Sequence, residues 1–126
     1  MTDKPKVLVI DDEMITREAL QMSLEDSFEI AVAESAEEAM QLLGTFKPSV
    51  ILCDYAMPKK NGIDFYNEIR LKGDKTPVII LSAVADVVRK KKESISNADF
   101  LIMDKPWELN SLEKELKTLA EFQLHS

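Results

Sequence analysis

Short apolar runs alternate with amphipathic stretches along the 126 residues of the chain. Uninterrupted aliphatic runs such as Val7–Ile10 and Val50–Cys53 are typical of strands that are buried on both faces of a parallel sheet. We therefore predict five strands, which cover residues 7–10, 28–33, 50–53, 77–81 and 100–103.

The stretches between these runs carry apolar residues at helical spacing, which predicts amphipathic helices. We predict five helices, which cover residues 14–25, 36–43, 62–71, 84–96 and 109–120. In the first helix, the residues at this spacing are Ile15, Ala19 and Met22. Ser35 and Glu38 match a capping box that starts the second helix, and Gly44 lies where that helix is expected to end.

The alternation of strands and helices predicts βαβ units, in which helices cover both faces of a mostly parallel sheet. No linker, low-complexity tract or internal repeat interrupts this pattern. Residues 1–126 are therefore interpreted as a single α/β domain with three layers.

The composition, with 45% hydrophobic and 31% charged residues, is that of a globular protein. The net charge of −7 argues against direct nucleic-acid binding, and the basic run at residues 89–92 is interpreted as a solvated helix face. The chain shows no secretion signal and no apolar stretch that approaches the ~20 residues of a membrane span. We therefore expect a cytoplasmic location and no membrane contact. The single cysteine, Cys53, excludes an intramolecular disulfide.

Polar side chains follow four of the five predicted strands at the point where each strand ends. Asp11 and Asp12 follow the first strand, Asp54 the third, Ser82 the fourth, and Lys105 comes shortly after the fifth. Because the carboxyl ends of parallel strands meet at one edge of a sheet, we expect these groups to share one site, near the point where strand order reverses.

This set of groups suits phosphoryl chemistry. Clustered carboxylates repel one another and call for a cation, and ligands that are all oxygen atoms suit magnesium. A lysine and a hydroxyl are natural partners for phosphate oxygens. Asp54, between the metal and Lys105, is then placed to act as a nucleophile that forms an acyl phosphate. A small phosphatase is an alternative, although it would want a second acid where this chain has Ala56.

In order and spacing, these residues resemble the receiver domain of two-component response regulators, and the resemblance runs from Lys6 to about Leu119. It is carried by four motifs, which are Asp11-Asp12, D54-x-x-M57-P58-x-x-x-G62, Ser82-Ala83 and Lys105-Pro106. The resemblance implies a flavodoxin-like (CheY-like) (βα)5 sandwich with a parallel five-stranded sheet in the order 2-1-3-4-5. The site would then lie beside the switch point between strands 1 and 3.

Carried over residue by residue, the resemblance implies a role for each site residue. Asp54 would accept a phosphoryl group from a phosphohistidine. Asp12, Asp54 and the backbone carbonyl of Ala56 would ligate Mg2+, or Mn2+ as an alternative, and Asp11 would act mainly through water. Ser82 would swing inward to bond one phosphate oxygen. Lys105 would pair with another, and its peptide bond to the following proline would be cis.

The resemblance also implies a signalling domain that is not an enzyme, although it assists its own phosphorylation and dephosphorylation. Its expected partners are a sensor histidine kinase or a phosphotransfer protein, and a downstream effector that binds the face formed by helix 4, strand 5 and helix 5. Phosphorylation-dependent homodimerisation stays open. So does a constitutive interaction module that no longer signals by phosphate.

One position departs from the family pattern. Family members usually carry an aromatic residue three positions before the lysine, and this chain has Ile102 there. The nearest aromatic residue is Phe100, which strand alternation would place on the same face of the sheet as Ile102. Either residue is therefore a candidate for the role of this aromatic residue, which the family uses as a switch.

Overall fold

The computed structural model describes residues 4–125, and within them five strands alternate with five helices. The strands are β1 (Lys6–Ile10), β2 (Glu29–Ala33), β3 (Val50–Asp54), β4 (Val78–Ser82) and β5 (Leu101–Asp104). The helices are α1 (Met14–Leu24), α2 (Ala36–Phe46), α3 (Gly62–Leu71), α4 (Ala85–Glu93) and α5 (Leu109–His125). No helix among the described residues is long and apolar enough to cross a membrane.

The five strands form one parallel sheet in the order β2-β1-β3-β4-β5, which confirms the predicted fold. Strand order reverses at β1, which pairs with β2 on one side and β3 on the other. Ile10 lies opposite Cys53, and Asp54 lies opposite Leu81. This register brings the carboxyl ends of β1, β3 and β4 to one edge, where the segments that follow these strands meet.

Each face of the sheet is covered by its own group of helices. On one face α2, α3 and α4 contribute buried side chains, among them Ala39, Phe65 and Val88. On the opposite face α1 and α5 contribute side chains such as Leu20 and Leu116. Because successive side chains of a strand point to opposite faces, the uninterrupted apolar runs of the central strands supply both layers of core.

The first helix is present, but its buried side is not the stripe that helical spacing suggests. Leu20 and Leu24, four residues apart, are the α1 side chains that pack into the core. Ile15 and Met22 are 79% and 74% exposed. Along α1, the Ile15–Ala19–Met22 stripe therefore faces away from the sheet.

The second helix starts as predicted and ends later than predicted. The Ser35 side chain accepts a hydrogen bond from the Glu38 N–H at 3.1 Å, which is the first half of the expected capping box. The helix does not end at Gly44, since it continues to Phe46 and closes at Lys47. Lys47 adopts the left-handed conformation, with φ of 54°, and its N–H bonds the Leu43 carbonyl.

The segment before the edge strand also differs from the sequence prediction. Helix α4 covers Ala85–Glu93, which is shorter than predicted, and β5 runs from Leu101 to Asp104, so that Phe100 precedes it. Asn97, in the segment between α4 and β5, adopts the left-handed conformation with a φ of 61°. The shift of β5 by one residue extends the strand to Asp104, directly beside Lys105.

Two glycines lie in contrasting places on helices, and this contrast is testable. Gly44 is exposed inside α2 with open space for a Cβ atom, so Gly44→Ala is expected to raise the free energy of unfolding by about 0.5–1 kcal/mol. At Gly62 a Cβ atom would lie 2.9 Å from the Asp54 carbonyl oxygen, so Gly62→Ala is expected to lower it by about 1–3 kcal/mol. Urea unfolding of both variants measures the difference. Equal effects would contradict this account of Gly62.

Candidate functional site

Three aspartates meet at the carboxyl edge of the sheet, as the sequence predicts. One carboxylate oxygen from each of Asp11, Asp12 and Asp54 lies within 4.8 Å of the other two. Asp11 and Asp54 are buried, with exposures of 1% and 6%, whereas Asp12 is exposed. The cluster therefore has two buried members and one member open to solvent.

The Lys105 side chain reaches this cluster from the segment after β5. Its ammonium lies 2.7 Å from an Asp54 carboxylate oxygen and 3.4 Å from an Asp11 carboxylate oxygen. The Lys105 backbone N–H bonds the Ser82 carbonyl at 2.9 Å, which extends the pairing of β4 with β5 to the lysine itself. The Lys105–Pro106 peptide bond is cis, as expected from the resemblance.

Burial and charge set the protonation equilibria of the pair formed by Asp54 and Lys105. Burial raises the pKa of Asp54, and the neighbouring Asp11 raises it further, while the hydrogen bond from Lys105 works against both. Burial lowers the pKa of Lys105, but its hydrogen bond and attraction to Asp54 outweigh this effect, so that the pKa of Lys105 is raised. Lys105 therefore carries a full positive charge beside the carboxylates.

The Ser82 hydroxyl joins the site to the start of α4. Ser82 is buried at the end of β4, and its Oγ accepts a hydrogen bond from the Val84 N–H at 2.9 Å. Val84 is the residue at which α4 is capped, and no side chain caps that helix. The hydroxyl at the site thus supports the first turn of α4.

The segment after Asp54 is held close to the end of β3. The Tyr55 N–H bonds the Leu81 carbonyl, and the Gly62 N–H bonds the Tyr55 carbonyl, both at 2.8 Å. Glycine is needed at position 62 because the start of α3 lies so close to the backbone of Asp54 that a Cβ atom would not fit. Ala56 lies exposed two residues after Asp54, so its carbonyl as a metal ligand stays a prediction.

Phe100 and Ile102 contact the same core cluster, as strand alternation predicts. Phe100 is fully buried, and its ring meets the Tyr66 ring edge-on with 4.8 Å between centroids. The Lys92 ammonium lies 5.3 Å from the Phe100 ring centroid. Phe100 is therefore a core residue packed between α3 and α4, and Ile102 is a partly buried aliphatic neighbour.

The structure adds one contact that the sequence does not indicate. The Arg17 guanidinium donates a hydrogen bond of 2.7 Å to the Asp11 backbone carbonyl. No motif predicts this contact, because it depends on how α1 leaves the β1–α1 loop.

Cys53 is fully buried beside Asp54, and burial together with the charge of Asp54 raises the pKa of its thiol, which keeps it protonated.

The donor set fits a hard divalent cation. The three clustered side chains all offer carboxylate oxygens, which are the ligands that magnesium prefers in proteins. The Lys105 ammonium contacts the two buried carboxylates. A second cation would relieve the repulsion that remains among the three aspartates. The cluster is therefore an acidic pocket with the chemistry of a magnesium site.

A CheY-like sheet with this acidic pocket at its carboxyl edge defines a signalling domain of the receiver class. A family model described as "Response regulator receiver domain" matches residues 7–117. The chain belongs to this family, and it is the receiver domain of a response regulator in two-component phosphorelay signalling.

Relatives and solved structures agree with this assignment. The receiver domain of Francisella response regulator 1452 superposes with a TM-score of 0.83 at 31% identity, over 94% of this chain and 98% of that one. The response regulator MprA of Mycolicibacterium vanbaalenii is 28% identical over 115 residues, which are 90% of this chain and 49% of the relative. The regulator of RpoS of Escherichia coli K12 is 35% identical over 88 residues, which are 67% of this chain and 26% of the relative. The chain thus spans about a quarter to a half of these curated relatives.

The raised pKa of Asp54 predicts a pH-dependent gain in stability for Asp54→Asn. A carboxyl group whose folded pKa lies above its ordinary value stabilises the fold only while protonated, and this contribution is lost as pH rises through the folded pKa. Asparagine does not ionise. Asp54→Asn is therefore expected to be more stable than the wild type near neutral pH, and the difference should vanish below about pH 4.

Urea unfolding at both pH values measures this effect. Asp104→Asn is the matched control, because the Asp104 side chain is 71% exposed and its ion pair to Arg89 is long, at 3.7 Å. We expect the control to change stability little at either pH. A loss of stability in Asp54→Asn near neutral pH would show that the Lys105 contact outweighs the burial of Asp54.

Proposed function

We propose that Asp54 is the phosphoacceptor of this domain and takes a phosphoryl group from a phosphohistidine of a sensor kinase or phosphotransfer protein. The observation that carries the proposal is the buried Asp54 carboxylate, which lies 2.7 Å from the Lys105 ammonium and beside Asp11 and Asp12. Such a kinase draws its phosphate from ATP, so we place the domain in the cytoplasm.

Asp12 and Asp54 would hold magnesium, with Asp11 acting through water and Ala56 contributing its carbonyl. Manganese, a hard ion that also accepts oxygen ligands, is the alternative. When bound, the ion neutralises charge on the phosphoryl oxygens. Asp12, the exposed member of the cluster, would complete the site from the solvent side.

In the transfer step an Asp54 carboxylate oxygen forms a bond to phosphorus, and the bond from phosphorus to the donor nitrogen breaks. The electron pair of that bond stays on the imidazole of the donor. Lys105 pairs with one phosphoryl oxygen, and the Ser82 hydroxyl turns inward to donate a hydrogen bond to another. Attack of water on phosphorus, helped by the same side chains, would break the bond from phosphorus to the Asp54 oxygen, release inorganic phosphate and return the carboxylate. The domain would thus assist its own phosphorylation and dephosphorylation without being an enzyme.

The exposed stripe of α1 supports docking of the phosphoryl donor. The donor histidine must approach Asp54 over the carboxyl edge, and α1 begins directly after Asp11 and Asp12 at that edge. Ile15 and Met22 present exposed apolar surface along this helix. A partner that covers the edge would bury this surface, and exposed apolar patches commonly mark such contacts.

The output face is supported by the link between Ser82 and α4. If the Ser82 hydroxyl turns toward the phosphoryl group, the Val84 N–H loses its acceptor, and the start of α4 is free to move. The basic residues 89–92 lie on this helix, within the face formed by α4, β5 and α5. A downstream effector, or a second copy of the domain, would bind there after phosphorylation.

Incubation with acetyl phosphate and Mg2+ tests the phosphoacceptor. We expect the wild type to gain the mass of one phosphoryl group, and we expect no gain in Asp54→Asn or after removal of the metal by a chelator. Asp104→Asn, which changes another aspartate near the same edge, should gain the group as the wild type does. An undiminished gain in Asp54→Asn would refute the proposal.

Hydrogen exchange with beryllofluoride, which mimics the phosphoryl group, tests the output link. We expect amide protection at residues 84–93 to change in the wild type and to change much less in Ser82→Ala, because alanine cannot transfer its contact from Val84 to the ligand. Thr76→Ala is the control, since Thr76 is a buried hydroxyl before the other end of β4. A full response of α4 in Ser82→Ala would exclude this link.

A further inference from the structure

Arg17 makes a contact at the edge of the acidic pocket that the proposed chemistry leaves unexplained. Its guanidinium is half-buried and donates to the Asp11 backbone carbonyl at 2.7 Å. The Asp11 carboxylate in turn accepts a hydrogen bond from the Glu13 N–H at 2.9 Å. The β1–α1 loop, which carries two of the three clustered aspartates, is thus held at Asp11 on both its backbone and its side chain.

The start of α1 shows why this loop depends on such contacts. Glu13 occupies the N-cap position but makes no capping hydrogen bond, and the first turn carries no acidic residue. Arg17 is the fourth residue of the helix, where the helix dipole disfavours a positive charge. The helix dipole therefore gives no reason for a positive charge at this position. The gain lies in the loop, whose carbonyl the guanidinium fixes.

We propose that Arg17 is a positioning residue for magnesium, which fixes the backbone at Asp11 so that the Asp11 and Asp12 carboxylates face Asp54. This inference rests on the magnesium site of the proposed function. Residues that orient metal ligands through hydrogen bonds commonly change metal affinity by about 10–100-fold when they are removed. Arg17 acts on the ligands through the backbone, and it is not itself a ligand.

Charge and positioning predict opposite results for the removal of Arg17. If only its charge mattered, a neutral residue would lower the repulsion of a divalent cation and tighten binding. If its hydrogen bond positions the loop, the same substitution weakens binding. The contact joins one guanidinium nitrogen to one carbonyl oxygen, so a lysine ammonium can replace it in part.

Titration of Mg2+ into the unphosphorylated domain, followed by the amide NMR shifts of residues 11–14, measures the Kd without any phosphodonor. We expect Arg17→Met to raise the Kd about tenfold. Arg17→Lys should give a value between those of Arg17→Met and the wild type. Arg17→Gln is the second neutral variant, and it serves if Arg17→Met does not fold.

Arg70→Met is the matched control, because Arg70 also donates to a backbone carbonyl, that of Asp74 at 2.9 Å, but lies on α3 away from the carboxyl edge. The Kd of Arg70→Met for Mg2+ should equal that of the wild type, even if thermal unfolding shows that this variant is less stable. A Kd that is unchanged or lower in the neutral Arg17 variants, or raised equally in Arg70→Met, would overturn the inference while the magnesium site stands. A wild type that binds no Mg2+ would overturn both.

Discussion

The repulsion between two buried carboxylates, Asp11 and Asp54, is the constraint on which the site depends. Both are nearly inaccessible to solvent, and the Lys105 ammonium contacts both of them. Burial of like charges raises the free energy of the folded state unless opposite charge is supplied. The sheet creates this situation, because the register of β1 against β3 brings Asp11 and Asp54 to adjacent strand ends. A site that remains short of positive charge is suited to a divalent cation with oxygen ligands.

Much of this site could be predicted from the sequence, because its causes are local. A central strand of a parallel sheet must be apolar throughout, so Val50–Cys53 marks β3, and Asp54 then falls at the edge by position alone. What could not be predicted depends on packing between distant segments. Helical spacing is satisfied equally by Ile15 with Met22 and by Leu20 with Leu24, and only the docking of α1 on the sheet decides which pair is buried. The Arg17 contact and the continuation of α2 past Gly44 depend on geometry of the same kind.

Ile102 stands at the position, three residues before Lys105, where family members usually carry an aromatic residue. Phe100 is fully buried, and its ring packs against that of Tyr66. Ile102 has no ring to move between a buried and an exposed position. The Ser82 hydroxyl, in contrast, contacts Val84, the residue just before α4, and so joins the site to that helix.

Helix α4 has properties that suit such a connection. Its charges, Asp86 in the first turn and three lysines in the last, follow the helix dipole. Its start has no side-chain cap, and the Ser82 hydroxyl contacts the N–H of Val84, the residue just before the helix. Only Ala85 and Val88 of its residues are buried, so packing holds it at few points. Helices of this length are marginal without tertiary contacts. Few contacts therefore hold the start of α4, and one of them, from Ser82 to Val84, comes from the site itself, whereas two layers of core fix the central strands.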